Sequence, residues 1–243
     1  DLMNDAKYVQ LCKDAKEGKF HFLFIAFPCT TFSMSRFFPS DPPGPPVIHN
    51  LTHPDGLPAS QMDPAYVKEL RTTTKLLTRT VHIAKLARLS PSRTTVVWES
   101  PARRSVEGTP QHCDDLPLHS TVFDTSLFKQ LVSETESVSP WSSSTFAWCR
   151  FHSDAQKYTT FWFTSDASLA LSALDEPQYQ CNHAGKHARI AGGKLPDGRW
   201  ASEDFTAFPD ALNSFIARAA TQTRTGSPEA MPAPAPSRTI YAA

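Results

Sequence analysis

The sequence lacks any run of about eighteen consecutive apolar residues, the length that a membrane-spanning helix needs. Its first residues, from Asp1 to Lys7, contain neither the basic nor the apolar region of a secretion signal. Net charge is also absent, because 24 basic side chains balance 24 acidic ones. This balance argues against a protein that coats nucleic acid through charge, although a local basic cleft stays compatible with it. We therefore expect an intracellular protein, in the cytoplasm or the nucleus.

A regular pattern of cysteines is missing too. The five cysteines are odd in number and have no short regular spacing, so free thiols in a reducing compartment are expected instead of a disulfide framework. The chain has 243 residues, of which 40% are hydrophobic, and this is enough for one sizeable core. The composition predicts one folded domain over residues 1–220 and a disordered tail rich in Pro and Ala over 221–243.

The first half of the chain alternates between helical and strand patterns. A three-residue repeat of Ala6, Val9, Cys12 and Ala15 predicts a helix over 5–17. The apolar run over 21–27 predicts a central parallel strand that is covered on both faces. After a proline-rich loop over 28–63, Asp63 and a following proline predict the start of a helix that reaches about residue 89. A second buried strand is predicted over 94–98.

The second half has weaker patterns. Residues 102–125 have no regular periodicity, and 126–132 indicate a short helix. Alternating segments over 145–151 and 159–164 predict an antiparallel hairpin at the end of the sheet. A last helix is predicted over 210–220. The order of these elements favours an α/β fold with a mostly parallel sheet.

Two chemically capable side chains follow the two predicted parallel strands. Cys29 comes just after the first strand, where a turn could lift its sulfur out of the core. Glu99 comes just after the second strand, where partial burial could keep its carboxyl group protonated. Taken singly, an inert cysteine and a solvated glutamate explain each residue equally well or better. Parallel strands, however, would bring both groups to the same edge, where ligands of open α/β sheets bind.

The residues around these two side chains resemble a known family. The segment Pro28-Cys29-Thr30-Thr31-Phe32-Ser33 resembles the Pro-Cys-x-x-Phe-Ser catalytic loop of cytosine-5 DNA methyltransferases, and Glu99-Ser100-Pro101 resembles their Glu-Asn-Val or Glu-Asn-Pro motif. The similarity covers roughly residues 1–193 and is greatest to compact methyltransferase-like domains of phages and mobile elements. It implies a Rossmann-like class I methyltransferase fold that is incomplete at its N-terminus.

The resemblance also implies roles for individual residues. Cys29 would add to C6 of a cytosine in DNA, Glu99 would hold N3, and S-adenosylmethionine would donate the methyl group to C5. The implied cofactor contacts are Asp1, Phe27 and Pro28, and the implied substrate contacts are Ser33, Arg36, Ser100 and Lys157. Ser100 replaces the family's asparagine, and the arginines of the family's Gln-x-Arg-x-Arg motif are absent after Gln156, where Lys157 stands.

Other hypotheses remain open at this point. The chain could be a non-catalytic remnant of the same fold that binds nucleic acid or has a structural role within a larger polypeptide or assembly. A cysteine hydrolase is also conceivable, but no motif selects a partner among the nine histidines. Zinc ligation by Cys149, Cys181, His183 and His187 is less favoured, because the spacing matches no compact zinc finger and Cys149 is expected inside a strand. We therefore predict no metal site.

Overall fold

The computed structural model describes residues 1–38, 44–155, 157–183, 187, 198 and 207–225. Gln156, the middle of the proline-rich loop and the tail beyond residue 225 lie outside the described residues. The helices and strands are α1 (Asp5–Lys16), β1 (Phe22–Ala26), α2 (Pro64–Arg88), β2 (Thr95–Pro101), α3 (Ser126–Thr135), β3 (Trp141–Ala147), β4 (Tyr158–Thr164), α4 (Ser168–Leu171) and α5 (Asp210–Thr225).

The starts of the first two long helices follow from their capping residues. Asn4 accepts a hydrogen bond from the backbone of Lys7 at the start of α1, and Asp63 accepts one from the backbone of Ala65 at the start of α2. Both helices are therefore confirmed. The face of α1 is only partly as predicted, because Val9 is 63% exposed while Tyr8 and Leu11 pack inward.

The described strands form one four-stranded sheet in the order β1-β2-β4-β3. β1 and β2 are parallel, whereas β4 runs antiparallel to both β2 and β3. The prediction of a mostly parallel sheet is therefore wrong, and the fold is mixed α/β with one parallel pair. The physical reason is that the β3–β4 hairpin does not merely flank the sheet. Its second strand supplies the hydrogen-bond partners of β2 on the side away from β1.

Both faces of the sheet are covered by helices. In β2, Val96 and Trp98 point to the layer that contains α2 and α3, and Val97 points to the layer that contains α5. The strand β1 is likewise covered on both faces, because Phe24 and Ile25 pack into opposite clusters. Within the described residues, however, β1 pairs with β2 alone and lies at an edge, not at the centre.

Several predicted boundaries shift. The segment Trp148–Phe151, expected in a strand, is a 3-10 helix that ends at His152 in the left-handed conformation, so Cys149 is not in a strand. The helix α5 extends through Thr225, beyond the predicted domain end at residue 220. None of the helices in the described ranges combines the length and the apolarity that a membrane crossing needs.

Candidate active site

Cys29 lies in a tight turn beyond β1, between two buried aromatic residues. Phe27 is 4% exposed and Phe32 is 1% exposed, and their rings meet edge to face with centroids 6.4 Å apart. The backbone N–H of Phe32 donates to the carbonyl of Cys29 over 2.9 Å, which closes a short 3-10 helix after the cysteine. Cys29 itself is partly exposed. The turn thus places Cys29 just beyond the carboxyl end of β1, and the flanking rings anchor it in the core.

Glu99 lies inside β2 and not after it. It pairs with Ala26 of β1 on one side and with Phe161 of β4 on the other. The predicted position just past the strand is wrong because β4 extends the hydrogen-bond ladder of β2 through Pro101. The parallel register still places Glu99 beside Ala26, the last residue of β1. Cys29 follows Ala26 by three residues.

The carboxyl group of Glu99 is buried and incompletely paired. Its residue is 4% exposed, and none of the described residues donates a hydrogen bond to Oε1. Burial raises the pKa of Glu99 to about 7, although Lys157 and the Thr159 hydroxyl act in the opposite direction. At neutral pH, this carboxyl group therefore exchanges between its acid and its carboxylate form.

Lys157 brings the positive charge of the site. Its Nζ lies 3.9 Å from Oε1 of Glu99 and 3.8 Å from the ring centroid of Trp148, a cation–π distance. The backbone N–H of Trp148 donates to the Lys157 carbonyl over 2.9 Å, which closes the hairpin at this point. The ammonium group is thereby directed toward the end of β2.

These groups act on the Cys29 thiol. Burial raises the pKa of Cys29, the Lys157 ammonium lowers it, and the Glu99 carboxylate raises it. The resting thiol is protonated and awaits a ligand or a proton acceptor for activation.

No family model, curated protein or solved structure matches this chain. The function must therefore be argued from the chemistry of Cys29, Glu99 and Lys157 and from the motif resemblance.

The other expected substrate contacts, Ser33, Arg36 and Ser100, are partly or fully buried. Arg36 is 8% exposed, and its guanidinium group donates to the carbonyls of Thr30 and Pro46 and to the carboxylate of Glu69. It therefore holds the loop after Cys29 in place. Ser33 accepts a hydrogen bond from the backbone of Ser35, again within this loop. Ser100 is buried in β2 opposite Thr160.

Two buried histidines that the sequence analysis did not single out clamp the Cys29 loop. His119 Nδ1 accepts from the backbone N–H of Arg104 over 3.1 Å, so its Nε2 carries the proton and donates to the Phe32 carbonyl over 3.2 Å. His49 stacks on the ring of Phe32 with centroids 4.1 Å apart. Burial lowers the pKa of each histidine to about 4, so both are neutral. No motif marks either residue, because their partners are distant in sequence.

A surface groove of about 410 Å³ lies elsewhere, along α3 and the outer face of β4. Arg103, Phe123, Lys129 and Trp162 contribute to its lining. Cys29, Glu99 and Lys157 are not among the described residues that line it. The groove is therefore separate from the candidate active site.

Proposed function

We propose that this protein is a cytosine-5 DNA methyltransferase in which Cys29 adds to C6 of the target cytosine while Glu99 binds N3. The observation that carries the proposal is the electrostatic coupling of the Cys29 thiol to a buried carboxyl group, one oxygen of which lacks a hydrogen-bond partner. A buried oxygen without a hydrogen bond is costly, and the Lys157 ammonium group at 3.9 Å is too far from Oε1 to donate one. A ring nitrogen that accepts its proton would supply the missing partner.

The proposed addition makes use of both the acid and the carboxylate form of Glu99. The Cys29 thiol first loses its proton to solvent, and the resulting thiolate forms a bond to C6. The π electrons between C5 and C6 then move into the ring toward C4, and the acid form of Glu99 gives its proton to N3. This leaves C5 electron-rich. A pKa of about 7 suits the task, because near neutral pH an acid of this strength can donate a proton and regain it.

Lys157 is proposed to promote the thiolate. Its charge lowers the pKa of Cys29 and counteracts the effect of burial. Because Trp148 and Glu99 hold its ammonium group, little reorganisation is needed when negative charge develops at the sulfur. Lys157 therefore serves as a positioning and electrostatic residue in this proposal.

S-adenosylmethionine, when bound, would supply the methyl group. The three residues that the resemblance implies for it do not by themselves form a pocket. Phe27 packs its ring into the core, Asp1 accepts a hydrogen bond from the backbone of Met3, and Pro28 is exposed beside Cys29. The proposed mechanism therefore assigns no step to these three residues.

The proposed class I methyltransferase fold rests on topology. The parallel pair β1–β2 is joined through α2, an antiparallel hairpin follows, and helices cover both faces. These features agree with the part of a Rossmann-like methyltransferase sheet that carries the catalytic cysteine and glutamate. The proposed DNA partner must deliver its cytosine unstacked, which costs a few kcal/mol in a duplex.

A direct test uses DNA in which one cytosine is replaced by 2-pyrimidinone, with randomised flanking bases because the target sequence is unknown. This ring lacks the 4-amino group, so its C6 accepts a thiolate readily and the adduct needs no methyl donor. We expect the full chain to form an adduct detected by denaturing mass spectrometry. Glu99→Gln is expected to slow adduct formation by about 10²-fold, the usual contribution of a general acid.

The controls separate addition from methyl transfer. Cys113→Ser should form the adduct normally, whereas Cys29→Ser should form none. A parallel reaction with 5-fluorocytosine DNA and S-adenosylmethionine traps the enzyme only after the methyl group has moved. An adduct with Cys29→Ser, or no adduct with the unaltered chain on either DNA, would refute the proposed function.

A second candidate function is a non-catalytic nucleic-acid-binding domain of the same fold. The raised pKa of Cys29 favours it, because a protonated thiol is a poor nucleophile. Binding of the 2-pyrimidinone DNA without adduct formation, with equal affinity for the unaltered chain and Cys29→Ser, is the outcome that this candidate requires.

A further inference from the structure

A second cluster of reactive side chains lies beside the turn of the β3–β4 hairpin. Its members are metal-ligating types from two distant parts of the chain: Cys149, Cys181, His183 and His187. Their sulfur and ring nitrogen atoms all lie within 4.8 Å of one another. The Sγ atom of Cys181 is 3.5 Å from Nδ1 of His183 and 3.5 Å from Nε2 of His187.

We infer that these four side chains form a structural zinc site. Around a tetrahedral zinc ion with bonds of about 2.0 to 2.3 Å, the ligand atoms are separated by about 3.3 to 3.8 Å. The two sulfur–nitrogen distances of 3.5 Å already fall in that range. The remaining separations need to shorten by about 1 Å at most, a change within reach of small side-chain rotations.

The chemistry of the ligands selects the metal. Two thiolates and two imidazoles in a tetrahedral arrangement suit Zn²⁺, whereas Mg²⁺ and Ca²⁺ prefer oxygen ligands. Two thiolate charges also neutralise the ion, so the complex can be partly buried at little electrostatic cost. Cys149 is itself 7% exposed. Four protein ligands leave no open position, which makes the site structural and not catalytic.

The backbone around the ligands is held before any metal binds. Arg150 donates to the carbonyl of Gln178 over 2.6 Å and to the side chain of Asn182 over 2.9 Å. Gln180 donates to the carbonyl of Thr145 in β3 over 2.7 Å. These bonds attach the residues on both sides of Cys181 to β3 and to the 3-10 helix that carries Cys149. Such supporting contacts are characteristic of metal sites, where they orient the ligands.

The position of the site suggests what the zinc stabilises. Cys149 follows Trp148, whose ring contacts the Lys157 ammonium group, and both Cys149 and Cys181 pack against Tyr158. A zinc ion would therefore tie Cys181, His183 and His187 to the hairpin end that carries Lys157. This role does not depend on the proposed methyltransferase function, because it concerns the stability of the hairpin.

The test is a measurement of metal content on the full chain. Protein refolded with zinc and then desalted should contain one zinc ion per chain, as measured by inductively coupled plasma mass spectrometry. Replacement of zinc by cobalt(II) should produce the visible absorption of a tetrahedral ion and a sulfur-to-metal charge-transfer band. A strong chelator added to the folded protein should lower its thermal midpoint.

Variants with matched controls make the assignment specific. Cys181→Ser and His187→Gln should each lose at least tenfold in zinc affinity, and Cys181→Ser should also weaken the charge-transfer band. Cys113→Ser and His112→Gln alter the same residue types outside the cluster and should bind zinc normally. Because Cys149 is buried and its replacement could impair folding, the partly exposed His187 provides the decisive variant.

Three outcomes would overturn the inference. One is a refolded chain that retains less than about a tenth of a zinc ion. Another is unchanged zinc affinity in both Cys181→Ser and His187→Gln. The third is a disulfide between Cys149 and Cys181 in protein purified under reducing conditions, recognised by its mass and by the loss of two titratable thiols.

Discussion

At the scale of single residues, the candidate active site is governed by opposing influences on one thiol. Burial and Glu99 raise the pKa of Cys29, and Lys157 lowers it. None of these influences can be read from the Pro-Cys motif, because Glu99 and Lys157 are 70 and 128 residues further along the chain. The motif singles out Cys29 as the proposed nucleophile, and the neighbours of Cys29 in space set the pKa of its thiol.

Replacing Lys157 by methionine tests this electrostatic role. Loss of a nearby positive charge should raise the pKa of Cys29 further, so alkylation by iodoacetamide at pH 8 should slow several-fold. The rate is read for the Cys29 peptide by mass spectrometry, because the other cysteines also react. Lys129→Met, an exposed lysine outside the site, serves as the control. An unchanged rate in Lys157→Met would contradict the assigned role.

At the scale of elements, the loop after Cys29 is ordered by contacts with the irregular segment over 102–125. His119 is fully buried and joins the backbone of Arg104 to the carbonyl of Phe32. Loops of this kind run over the surface when their polar groups lack partners. Here the neutral imidazole of His119 accepts from the Arg104 N–H and donates to the Phe32 carbonyl. It thereby fixes the position of the turn that contains Cys29.

Replacing His119 by alanine should therefore be costly. The change leaves the Arg104 N–H and the Phe32 carbonyl without a partner and creates a cavity, so we expect a loss of about 2 to 4 kcal/mol in the free energy of unfolding. Urea denaturation measures this loss, and limited proteolysis should detect faster cleavage after Phe32. His112→Ala, which removes a more exposed histidine, should cost less than about 1 kcal/mol. Equal stability of the two variants would show that the clamp is unimportant.

At the scale of the whole molecule, buried titratable groups change the free energy of unfolding with pH in opposite directions. The folded protein holds His49 and His119 with pKa values of about 4, below the usual 6.5, so stability from these residues falls as the pH drops below 6.5. Glu99 acts oppositely. Its pKa is raised from 4.5 to about 7, so its contribution is greatest below pH 4.5 and is lost as the pH rises to 7.

The variant Glu99→Gln isolates the glutamate, since other groups cancel in the comparison. The free energy of unfolding of Glu99→Gln relative to the unaltered chain should rise by about 1.4 kcal/mol per pH unit between pH 5 and 7 and level off above pH 7. Denaturant titrations at several pH values provide the measurement. A flat difference across this range would show that Glu99 titrates normally in the folded protein.

Much of the local structure could be predicted from the sequence because its signals are local. Asp63 and Pro64 mark the start of α2, and the apolar run over 22–26 marks β1, whatever surrounds them. The pairing of strands is different. Nothing within residues 158–164 states that β4 lies antiparallel beside β2, so the sheet was expected to be mostly parallel and Glu99 was placed outside its strand.

The sequence by itself determined the starts of α1 and α2, the position of β1 and which cysteine follows that strand, since these depend on neighbours along the chain. Tertiary structure alone decided the partners of β2, the pKa of Glu99, the clamp on the Cys29 turn and the meeting of Cys149 with the segment from Cys181 to His187. Each of these depends on distances between atoms that are remote in sequence. Burial and electrostatic interactions depend on these distances in space. The spacing of residues along the sequence does not give the distances.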